Sequence, residues 1–189
     1  MGHVKIHKST VIIAILILLG ILVREAYPQS TSFLDALHPL MPDPKLTPCS
    51  VNPTQSFCIQ PPTICNQTIL CAVDSEGHKI FHTSDTRKVS ETTKHAVCKA
   101  YGITTPCPDK QYEIDHLISL ELCGSDDPRN LWPQPYTSPG AHEKDVLEGY
   151  LNGQVCGGKM TLEAAQRAIA TNWWSAYVTM IGPMQVIGQ

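Results

Sequence analysis

The sequence contains no C-x₂-C pair, no basic excess, no internal repeat and no apolar run as long as a membrane span. Each absence removes a class of protein. Zinc ribbons and fingers hold their metal with closely paired cysteines, so the eight cysteines here do not read as structural zinc ligands. A formal net charge of −3 argues against a strongly basic nucleic-acid binder. The longest apolar stretch, VIIAILILLGILV, covers 13 residues, whereas a spanning helix needs about 20. Charged residues make up only 16 %, below the usual quarter, while 42 % are hydrophobic, enough for one core and too apolar for general disorder.

What is present begins with an export signal. Lys5, His7 and Lys8 precede the apolar run at residues 11–23, and Arg24 ends it. This pattern reads as a secretory signal or, if uncleaved, a membrane anchor. A cut after Ser32, with Ser30 at −3, suits cleavage better than one after Ala26, which puts Arg24 at −3. Removing residues 1–32 leaves eleven Lys+Arg against sixteen Asp+Glu, a mature charge near −5. Outside the cytoplasm an even cysteine count predicts disulfides, with 105 connectivities open for four bridges.

The expected organisation has four parts: a signal peptide or anchor (1–32), a Pro-rich extended arm (33–64), a disulfide-linked hairpin and helix segment (65–110), and a core (111–189). The arm carries seven prolines in residues 31–64 and shows no helical or alternating period. TILCAV and KIFHT, divided by the turn residues Asp74-Ser75-Glu76-Gly77, predict a hairpin. Ser90 and Gly102 bracket a short helix with Ala96, Val97, Ala100 and Tyr101 on its inner stripe. Cys98 to Cys107 closes a small loop. Tyr112–His116 reads as a strand, GSDDPRN as a turn, and Asn130–Trp132 as the start of a second strand ended by Pro133 and Pro135. A helix opening near Ala141 is expected to bury Val146, Leu147, Tyr150 and Leu151. A last helix, capped by Thr161, is expected to bury Leu162, Ala165, Ile169, Trp173, Tyr177 and Met180, and to stop at Gly182-Pro183.

Within YEIDHLISLELCGSDDPRNLW, residues 112–132, an Asp-His pair stands in an apolar run, with Asn130 fourteen residues after His116. Buried carboxylates and imidazoles need partners or a metal. Asp115 supplies an anionic oxygen and Asn130 a neutral carbonyl oxygen, ligands that suit Mg²⁺, Mn²⁺ or Ca²⁺; an imidazole widens the choice to Zn²⁺ or Ni²⁺. His142 is the candidate further ligand, which leaves His116 to act as base. This is chemistry for hydrolysing phosphodiesters. Adjacent strand residues face opposite ways, so one shared site requires a strand that is strongly twisted or ends at the pair. Glu113 and Glu121 are either solvated or hold the His116 tautomer. Asp126-Asp127 serve the turn. Lys144 and Arg129 are either phosphate contacts or solvated charges, and His78, His82 and His95 are read as surface residues.

EIDHLISLELCGSDDPRNLWPQP followed by HEKDVLE resembles the H-N-H, or ββα-metal, endonuclease superfamily. It is similar to small exported bacterial proteins of unassigned substrate that carry D-H-L-I-x-L-E-L-G-G-S, N-L-W-P, K-D-x-L-E, V-C-x-G and A-Q-x-x-I-x-x-x-W. The matching pieces here are residues 115–125, 130–133, 144–148, 155–157 and 165–173. The resemblance implies an α+β fold with a ββα-metal core, His116 as general base, and Asp115 and Asn130 at a metal, Mg²⁺ or Mn²⁺ before Zn²⁺ or Ni²⁺. His142 is either the superfamily's last histidine or a first-turn surface residue. Cys123 departs from the glycine usual at its place. The implied function is an exported metal-dependent endonuclease acting on DNA or RNA, with no small-molecule cofactor and no membrane contact beyond an uncleaved anchor. The alternatives are a non-catalytic binding or structural module on the same scaffold, and a phosphoesterase for small molecules.

Overall fold

A computed structural model describes residues 40–104, 107–108 and 110–182. The apolar run at residues 11–23 and its cleavage sites lie outside these residues. Helices α1 (Gln67–Leu70), α2 (Thr83–Thr86) and α3 (Glu91–Ala100) precede strands β1 (Tyr112–His116) and β2 (Leu131–Pro135). Helices α4 (Ala141–Cys156) and α5 (Leu162–Met180) follow. The class is α+β, with one two-stranded antiparallel sheet. No helix among the described residues is long and apolar enough to cross a membrane.

All eight cysteines are paired, as Cys49–Cys58, Cys65–Cys123, Cys71–Cys156 and Cys98–Cys107. Four bridges in a chain of this size fit an oxidising environment. Two of them, at Cys123 and Cys156, tie the first part of the chain to the β1–β2 loop and to the end of α4.

Pro133 lies inside β2 without ending it, and the strand runs to Pro135, its last residue. Tyr136 N–H donates to Gln111 C=O at 3.0 Å, and Leu117 N–H donates to Asn130 C=O at 2.8 Å. These bonds fix the alternation of the ladder, so Tyr112↔Pro135 and Ile114↔Pro133 are non-hydrogen-bonded pairs. A proline there gives up no ladder bond.

Local signals place the helix starts. Ser90 Oγ accepts from Thr93 N–H at 3.1 Å, and Thr161 Oγ1 accepts from Ala164 N–H at 3.2 Å. Gly102, at φ +72°, ends α3. The inward faces differ from expectation. In α3 only Val97 and Cys98 are buried, because the disulfide turns the Cys98 side inward. In α4 the buried row is Ala141, Lys144, Leu147, Leu151 and Val155, while Val146 and Tyr150 face solvent. The row is set by docking along α5, where Ala165, Ile169, Trp173 and Tyr177 are buried but Leu162 and Met180 only partly so. Each buried leucine in that seam contributes about 1.5–3 kcal/mol. Asn172 interrupts α5 with φ −164° and ψ 88°, and its Oδ1 caps the continuing turn at Ser175 N–H.

Two further expectations change. TILCAV is not a strand: Asn66 Oδ1 caps Ile69 N–H and starts α1, leaving a single bridge, Val73↔Lys79, across the predicted turn. Residues 40–64 form turns packed on the body rather than an extended arm. Trp173 Nε1–H donates to Leu40 C=O at 2.5 Å, and Thr47 Oγ1–H donates to Leu131 C=O at 2.8 Å. Both anchors are long-range contacts that no local period encodes.

The loop joining β1 to β2 is clamped from within. Asn130 Oδ1 accepts from Ile118 N–H at 3.0 Å, and Asn130 Nδ2 donates to Ile118 C=O at 3.0 Å and Ser125 C=O at 2.9 Å. Gly124 is forced by the same tightness, since a Cβ there would stand 1.6 Å from the Ile118 carbonyl oxygen. Cys123 takes a left-handed φ of +59°, a conformation glycine adopts freely, and its bridge to Cys65 secures it. Replacing Asn130 by alanine leaves two buried backbone groups of Ile118 and the half-buried Ser125 carbonyl unpaired, each buried group costing about 1–3 kcal/mol. Asn130→Ala is therefore expected to lower stability by about 3 kcal/mol or more in urea unfolding; an unchanged midpoint rules the clamp out.

Candidate functional site

The regular ladder carries through to His116, so Asp115 and His116 point to opposite faces of the ribbon. The strand ends at His116, as expected, but the register stays regular through the pair, so the end does not bring the two side chains to one site. Asp115 shares its face with Glu113 and meets α4. His116 shares the other with Tyr112 and Ile114, against α3.

On the His116 face the strand lines a cleft of about 300 Å³. Helix α3 supplies the opposing wall with Glu91, Lys94 and His95, residues at i, i+3 and i+4 and hence on one side of the helix. Arg87 and Tyr136 also line it. His116 is 2 % exposed, and its Nε2 lies 2.7 Å from Asp126 Oδ1. Burial would raise the Asp126 carboxyl; the hydrogen bond from His116 and one from Lys88 N–H outweigh it and hold the group below its ordinary value. An ionised Asp126 only accepts, so Nε2 carries the proton and the lone pair of the neutral ring sits on Nδ1. Asp126, read from sequence as a turn residue, is the partner that fixes the tautomer. Glu113 and Glu121 do not take that part: Glu113 accepts from Tyr136 Oη–H at 3.1 Å, and Glu121 lies in the turn Leu120–Leu122. Nothing local marked Asp126, because its reach to His116, ten positions earlier in the chain, depends on the path of the loop between them.

On the opposite face Lys144 is fully buried. Its ammonium donates to Asp115 Oδ2 at 2.6 Å, to the His116 carbonyl at 2.8 Å, and to Glu148 Oε1. Neither the phosphate contact nor the solvated charge expected of Lys144 matches this position. The Lys144–Glu148 spacing of i, i+4 was the available signal for the pair. Burial pushes the Glu148 carboxyl up to about 8. Burial would lower the Lys144 ammonium, but Asp115 and Glu148 outweigh that and raise it.

The donors expected to bind a divalent ion do not come together. The Asn130 amide is spent on three backbone groups. One Asp115 oxygen is held by Lys144. His142 is exposed on the first turn of α4, its ring 5.9 Å from that of Tyr136. Among the described residues no group of three or more His, Cys, Asp or Glu side chains is arranged to hold a metal. Asp115, Asn130 and His142 therefore do not fit a metal as a set. Arg129 is paired with Asp127 through two bonds of 2.8 and 2.7 Å and lies over the Phe57 ring at 3.7 Å. Near Asp115, Glu113 and Asp145 are raised first by burial and then by neighbouring carboxylates.

No family model, curated protein or solved structure matches the chain.

Glu148 gives a pH dependence with a definite sign. Its ordinary value is 4.5 and its folded value about 8, so the folded state binds the extra proton between them. That contribution is complete below about pH 4.5 and is lost as pH rises through 8. Glu148→Gln, which imitates the protonated acid, should retain more of its pH 5 stability at pH 8.5 than the unmodified chain does. Urea midpoints at the two pH values test this, and equal losses in both proteins refute it.

Proposed function

We propose that the chain is an exported nuclease that cleaves nucleic-acid phosphodiester bonds with His116 as general base. The observation that carries this reading is the 2.7 Å hydrogen bond from His116 to an ionised Asp126 at the wall of a cleft that also bears Arg87. A ring held by a carboxylate through one nitrogen has its other nitrogen ready to take a proton. The succession β1, β2, α4 supports an H-N-H-like core, and the four disulfides support export.

One observation favours a second reading, a non-catalytic binding or structural module. The Lys144 ammonium already neutralises Asp115, which turns that half of the Asp-His motif into a packing element.

The full oxidised chain, incubated with plasmid DNA and with RNA in Mg²⁺, Mn²⁺ or EDTA, separates the two. His116→Ala should lower cleavage by about 100-fold or more, the usual size of a general-base contribution. Asp126→Asn should give a smaller loss, since it disturbs only the ring's tautomer. Folded protein that cuts neither polymer in any condition supports the non-catalytic module instead.

A further inference from the structure

Resting on the nuclease reading, we propose that the substrate is single-stranded RNA and that His95 is the general acid opposite His116. Two imidazoles from different elements line one cleft, His116 from β1 and His95 from α3. His95 had no spacing signal in the sequence; α3 brings it there, with the Cys98–Cys107 bridge fastening that helix to the segment entering β1. Cys107 itself forms part of the cleft wall.

The charge around the pair is sorted. Lys94 is occupied by Glu91 at 2.6 Å, while the Arg87 guanidinium acts on Asp126 through its charge without a hydrogen bond or ion pair among the described residues. Arg87 is therefore the side chain open to a phosphate. Glu113 borders the cleft although the ladder turns its side chain toward the Asp115 face, where its carboxyl accepts from Tyr136 Oη–H. The Tyr112 and Tyr136 rings give a base an apolar surface. A volume of about 300 Å³ suits one unpaired nucleotide and its phosphate, not a duplex.

RNA fits these groups because it brings its own nucleophile. Hydrolysis of DNA needs an activated water and help for a departing alkoxide, work for which Asp115 and Asn130 are already engaged elsewhere. In RNA the neighbouring 2′-hydroxyl attacks within the same molecule. His116 takes the 2′-OH proton as the O2′–P bond forms. The P–O5′ bond breaks, and the leaving 5′ oxygen receives a proton from the His95 imidazolium. The products are a 2′,3′-cyclic phosphate and a 5′-hydroxyl end. One proton enters at His116 and one leaves at His95, so the step balances without a co-reactant.

The test uses the full oxidised chain in EDTA with a short single-stranded oligoribonucleotide, its all-DNA counterpart, and an oligoribonucleotide with one 2′-deoxy position. The expected result is RNA cleavage yielding 2′,3′-cyclic phosphate ends by mass spectrometry, with no cut at the 2′-deoxy step. His95→Ala should slow this by about 100-fold. A uridine 3′-(4-nitrophenyl phosphate), whose leaving group needs no proton, should restore His95→Ala to near the unmodified rate and leave His116→Ala slow. Exposed His95 has no buried contacts to lose, so its variant keeps the fold. Cleavage of DNA or of the 2′-deoxy step, still dependent on His116, overturns the RNA assignment and keeps the nuclease reading. Equal loss of both His95→Ala activities overturns the acid role. No cleavage of any polymer, with or without divalent ions, overturns both.

Discussion

One buried amide organises the region on which everything else depends. Asn130 closes the β1–β2 loop by bonding both backbone groups of Ile118 and the carbonyl of Ser125. Without those bonds the loop has no reason to fold back, and Asp126 has no reason to stand beside His116. The surrounding structure reinforces the same path. Gln60 Nε2–H donates to Gly124 C=O at 2.9 Å, and Asn152 and Gln166 donate to the carbonyls of Glu121 and Leu122. Polar side chains from three separate segments thus satisfy a tight loop that could not satisfy itself.

The ribbon then divides the motif's chemistry between two faces. Toward α4, Asp115 enters a closed charge group with Lys144 and Glu148. Toward α3, His116 enters an open cleft. A single step along the strand separates a closed packing interaction from a side chain that faces the cleft. The buried ammonium also bonds the His116 carbonyl, so the packing side holds the backbone from which the imidazole projects.

Much of this was legible in the sequence where short-range rules apply. The caps Ser90 and Thr161, the strand Tyr112–His116 and the start of α4 at Ala141 follow from local chemistry. The importance of Asp115, His116 and Asn130 was visible from polar residues in an apolar run. Their roles were not, since Asn130 serves the backbone and Asp115 serves a lysine. Tertiary distance hid the rest. Asp126 reaches His116 across a loop, His95 reaches the cleft by helix docking, and residues 40–64 depend on Trp173 and Thr47 contacts far along the chain. Pro133 misled because its effect depends on ladder parity, which is set by the partner strand.

The bridges have a consequence for how the molecule survives proteolysis. Cys65–Cys123 and Cys71–Cys156 each join a cysteine before the exposed turn at residues 74–77 to one after it. A protease that nicks this turn makes two polypeptides that stay covalently married. The cut passes unnoticed by size until a reductant parts them, and α4 stays fastened to α1 throughout.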